Sequence, residues 1–176
     1  MHYIRNSVLM LVLGLLLILI QGTVLMAFLP AYLVPNMVVS LVVFLAFYEN
    51  TAFGAVLAFL LGLQMDAYSG QLLLVGPTAG AYVAVFGLIA SLSQRIFVDS
   101  AIAVFVVTFI AGVASTIIYT ILVYEFNKQG VSLIPLAIPG AFLTACVTPF
   151  LFRILRFLFV RKSAGLGSRS RGLAAL

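Results

Sequence analysis

The 176-residue chain is 65% hydrophobic and only 7% charged, with nine Lys+Arg, four Asp+Glu and a formal net charge of +5. A soluble domain carries roughly 25% charged residues, so a charge-coated soluble enzyme, a disordered tail and a disulfide scaffold are excluded. The composition is that of an all-α integral membrane protein with several spans.

About 20 helical residues cross a hydrocarbon core of ~30 Å, and the uncharged stretches divide the chain into six predicted transmembrane helices. The first is Ser7–Leu29. Its apolar run is longer than the roughly 7–15 residues of a signal-peptide core, so it is expected to be retained. Pro30 falls in the connection to the second helix, Tyr32–Tyr48, and Pro35 near its first turn. The third is Thr51–Ala67. At 1.5 Å per residue the second and third reach only ~25 Å; they are either short spans or a re-entrant hairpin, whose backbone must be buried in protein or face water. The fourth is Leu72–Leu92, the fifth Asp99–Tyr124 and the sixth Leu133–Val160. Residues 1–162 thus form a transmembrane domain, and 163–176 a flexible basic tail.

Charge placement sets the expected topology. Arg5 precedes the first helix, Arg95 lies between the fourth and fifth, and Arg153, Arg156, Arg161, Lys162, Arg169 and Arg171 end or follow the sixth. With six spans and both termini in the cytoplasm, only Lys128 faces out, as the positive-inside rule prefers. Arg153, Arg156, Arg161 and Lys162 read as snorkelling residues at a helix end, or as an interfacial helix contacting anionic lipid or a cytoplasmic partner. No nucleic-acid motif accompanies them.

Two features suggest where function resides. Gly54, Ala58, Gly62 and Asp66 recur every four residues, which places them on one face of the third helix. Gly76, Gly80 and Ala84 do the same on the fourth. Small residues allow helices in lipid to approach closely; the stripes either pack against each other or receive a partner's transmembrane helix. Asp66 ends the third helix, where an acid opposes the macrodipole and is costly near the hydrocarbon boundary. An offset is expected from Ser69 or from freed amides at the start of the fourth helix. Asp66 is then either a loop-ordering carboxylate or a group for a ligand, proton or partner.

Catalysis is not expected. Asp66 and Asp99 fall on opposite sides of the membrane in this topology, and His2 and Cys146 do not make a nucleophilic pair. Zinc-ligand spacing and a nucleotide-binding glycine loop are absent. With one cysteine there is no intrachain disulfide or multi-cysteine metal site, and Cys146 is expected to be a small buried hydrophobe. No cofactor or metal is expected.

Pro35-Asn36 at the second helix, Gly54 and Gly62 within the third, and Asp66-Ala-Tyr-Ser69-Gly70 at its end form a pattern that resembles the rod shape-determining protein MreD family. The tiny loops and basic C-terminus are similar too. In that family another glycine usually follows the Ser-Gly closely, whereas here the next is Gly76. The resemblance implies a multi-pass protein of the bacterial inner membrane, within the elongation (rod) complex that directs lateral peptidoglycan synthesis and cell shape. It implies binding to the transmembrane helix of MreC, and indirectly to MreB, RodA and a class B penicillin-binding protein. It also implies a fold similar to the substrate-binding subunits of energy-coupling-factor transporters, with no catalytic residues. A second expectation, a vitamin-binding subunit of such a transporter, follows from the shared architecture alone.

Overall fold

The computed structural model describes residues 2–30, 33–49, 52–69, 76–93, 100–127 and 134–160. Among the described residues there are helices and no strand. α1 (His2–Leu19) passes through a π-helical turn, Ile20–Leu25, into Met26–Phe28. α2 is Met37–Tyr48, α3 is Ala52–Tyr68, α4 is Pro77–Ser93 and α5 is Ala101–Asn127. α6 (Ile134–Leu155) ends in a second π-helical segment, Arg156–Val160. Three helical stretches are long and apolar enough to cross a bilayer: Arg5–Phe28, Ala101–Val123 and Ile138–Phe159. The described residues are therefore those of a helical membrane protein.

α2 is the centre of the bundle. Every residue from Val38 to Ala46 is buried, which is why its sequence is apolar all round instead of amphipathic. With 12 residues it is only ~18 Å long. α1, α3, α4, α5 and α6 all contact it. Buried in lipid or protein, its end amides need partners that water does not supply, and the sequence provides them. The Asn36 side chain accepts from Val39 N at 3.4 Å. Gln21, buried in the π-helical turn of α1, accepts from Met37 N at 3.2 Å. Asn36 N donates to Thr144 Oγ1 of α6 at 2.8 Å. Pro35 and Asn36 thus form the entry to α2, which begins at Met37 and not at Tyr32.

α3 and α4 pack through their small residues. A Cβ at Gly62 would stand 2.7 Å from Ala79 N and 3.0 Å from Thr78 O, so the two backbones touch where only glycine fits. α4 also starts later than Leu72: its first residue is Pro77, and Gly76 before it has φ +127°. A left-handed glycine cannot continue a helix, and proline at the first position gives up an amide that has no intrahelical partner anyway. Residues 70–75 lie outside the described residues.

α5 and α6 carry hydroxyl residues in apolar surroundings by bonding them to their own backbone. Thr108 donates to Val104 O at 2.8 Å, Thr144 to Gly140 O at 2.7 Å and Thr148 to Thr144 O at 2.6 Å. Thr148 and Ser40 of α2 share a further bond of 2.7 Å. α6 holds Pro139 and Pro149 within its length; prolines are tolerated in membrane helices where the surrounding protein satisfies the backbone groups they free. Its buried side is Ala141, Ala145, Thr148, Phe152 and Leu155. Cys146 lies on the opposite side with Phe142 and Phe150 and is exposed, so it is not the buried hydrophobe expected from its apolar context.

Candidate functional site

The residues of the Pro-Asn and Asp-x-x-Ser motif meet at one end of the bundle. Asp66 closes α3 and is 4% exposed. Its Oδ2 accepts from Gly76 N at 2.9 Å and Ala79 N at 3.3 Å, and its Oδ1 accepts from Thr78 N at 3.2 Å. The carboxylate therefore caps the N-terminus of the next helix. The positive end of the α4 dipole and three freed amides offset the burial of the charge. Of the two offsets expected from the sequence, the amides hold the carboxylate, while Ser69 Oγ donates to the Asp66 backbone carbonyl at 2.8 Å.

Asn36 faces the same helix one turn deeper. Its Nδ2 lies 3.0 Å from the Tyr82 hydroxyl, which in turn lies 3.2 Å from Asn36 Oδ1. Asn36 thereby ties the start of α2 to α4 through Tyr82 and to α6 through Thr144. Gln21 adds α1 to the junction, with Nε2 3.4 Å from Met65 Sδ of α3. Beside this junction is a cavity of about 210 Å³ lined by Asn36, Tyr82, Thr78, Ser115, Thr116 and Tyr119 among others.

The small-residue stripe does not open to the outside. Gly54, Ala58 and Gly62 are buried; Gly54 faces Phe86 and Gly62 faces Ala79, both on α4. The second stripe is not a continuous one. Gly76 sits before the helix, Gly80 is half-buried with Leu122 Cδ1 of α5 3.3 Å from a Cβ placed there, and Ala84 is exposed.

At the other end of α2, Phe44 stacks on Tyr48 at 4.5 Å and meets Phe152 edge-on at 5.3 Å. The Arg156 guanidinium carbon lies 5.8 Å from the centre of the Tyr48 ring, within cation–π range. Arg153 is exposed. A second cavity of about 210 Å³ opens here, lined by Asn6, Ser7, Tyr48 and Glu49 among others. Gly70, Arg161, Lys162 and the tail 163–176 lie outside the described residues, as do Arg95, Asp99 and Lys128.

The sequence reading did not single out Gln21, Tyr82, Thr144, Ser115, Thr116 or Tyr119. The available signal was that each is a hydrogen-bonding residue inside an apolar helix, where such a group needs an internal partner. Among the described residues no three His, Cys, Asp or Glu side chains come together to hold a metal. Comparisons with protein-family models, with curated proteins and with solved structures found no match.

Proposed function

We propose that the chain is a non-catalytic scaffold of the MreD type, held in the bacterial inner membrane by six spans with both termini in the cytoplasm. Its partner is the transmembrane helix of an MreC-like bitopic protein, and through it MreB, RodA and a class B penicillin-binding protein of the elongation complex. One observation supports this reading above the rest. The residues that carry the resemblance form a structural joint: Asp66 caps α4 through three amides and Asn36 fastens α2 to α4 and α6. Their polar groups are engaged in holding helices together, as a rigid adaptor requires.

Orientation follows from charge. Arg153 and Arg156 mark the Tyr48 end of the bundle, which the positive-inside rule assigns to the cytoplasm and to anionic lipid; the Asp66 end then faces out. Because the Gly54–Ala58–Gly62 face is covered by α4, the partner helix is read onto an outward apolar face instead. The test is affinity purification of the tagged full chain from its native membrane. The expected result is co-purification of an MreC-like protein. Its absence from folded preparations, together with neighbouring genes for transport ATPases, would remove the reading.

A further inference from the structure

The cavity beside Tyr82 has features that the structural joint does not use. Its volume of about 210 Å³ is the share of about seven waters at ~30 Å³ each, enough for one substituted ring. Its lining contains no charged side chain, and the nearby Asp66 carboxylate is occupied on both oxygens by backbone amides. The lining offers a cation no carboxylate to touch and an anion no cationic donor, so either is desolvated without a direct partner, and the Asp66 carboxylate nearby disfavours an anion further.

The polar groups that remain form a definite pattern. Ser115 and Thr116 both donate their hydroxyl protons to Gly112 O, at 2.8 and 3.1 Å. Asn36 and Tyr82 are bonded to each other. The hydroxyls of Tyr119 and Thr78 have no partner among the described residues, and both residues line the space, which leaves two unused donors in its wall. Met65 supplies apolar lining. A site with two unused donors, apolar walls and no charge selects a neutral molecule that carries acceptors.

We infer that the cavity between α3, α4 and α5 is a binding site for a small uncharged molecule whose carbonyl or amide oxygen accepts from Tyr119 and Thr78. The oxygen is carried either by a free solute or by the ester head of an uncharged lipid. The site rests on the cavity and its donors, and stands apart from the scaffold reading: a partner helix on an outer face leaves it intact.

A matched set of ring probes tests the chemistry. Benzamide, benzoate and benzylamine share one ring and differ in charge. Binding of each to the full chain in detergent micelles is followed by saturation-transfer NMR. Benzamide is expected to bind at least tenfold more tightly than the two ions. Tyr119→Phe removes one donor and is expected to weaken benzamide about fivefold. Thr78→Val, which adds no bulk, does the same and covers the case in which the tyrosine variant fails to fold. Dioctanoylglycerol is the lipid arm: displacement of benzamide assigns the site to an uncharged lipid, and no displacement assigns it to a free solute. Equal binding of all three probes, or benzamide binding unchanged in both variants, overturns the inference.

Discussion

Asp66 illustrates how a residue that looks misplaced on its own helix is well placed for the next. At the C-terminus of α3 it faces the negative end of that dipole, yet its oxygens lie at the positive end of α4, 2.9–3.3 Å from three amides. Removing the carboxylate strands those amides in a buried site. Asp66→Ala is expected to lower unfolding stability by about 2–3 kcal/mol, and Asp66→Asn, which keeps one acceptor, by about 1 kcal/mol. Thermal unfolding in one detergent reads both, and equal stability of Asp66→Ala and wild type would contradict the capping role. The charge of Asp66 and its need for an offset were legible in the sequence. Tyr82 was not, because nothing local marks which of seven tyrosines meets an asparagine 46 residues away.

Among the helices, α3 and α4 meet backbone to backbone. Gly62 lies against the backbone of Ala79, and Ala58 is 0% exposed. Gly62→Ala and Ala58→Leu overpack this contact and are each expected to destabilise by about 1–3 kcal/mol. Phe59, 43% exposed on the same helix, gives the control: Phe59→Leu is expected to change stability by less than about 0.5 kcal/mol. Melting temperatures measured side by side check the contrast. The existence of each helix was legible because uncharged runs of this length have few alternatives. The start of α4 was not, because the apolar run Leu72–Val75 outweighed the Gly76-Pro77 signal that stops and restarts the chain. The side on which Cys146 falls was not either. A lipid-facing surface is as apolar as the interior, so hydrophobic periodicity, which separates inside from outside in soluble helices, is flat here.

At the level of the whole molecule, charge distinguishes the two ends of α2. Arg153 and Arg156 lie at the Tyr48 end of α2 and Asp66 near its Asn36 end. Reporter fusions after Arg5 and after Arg171 are expected to give the same cytoplasmic signal; opposite signals would require an odd number of spans.

The brevity of α2 has an electrical consequence. A rod of ~18 Å stands where the hydrocarbon is ~30 Å thick, and each of its ends borders a hollow of about 210 Å³. If water fills those hollows from either side, the insulating layer is thinnest along this axis. The membrane voltage then falls over roughly three-fifths of the usual depth, and the steepest field runs through the enclosed helix.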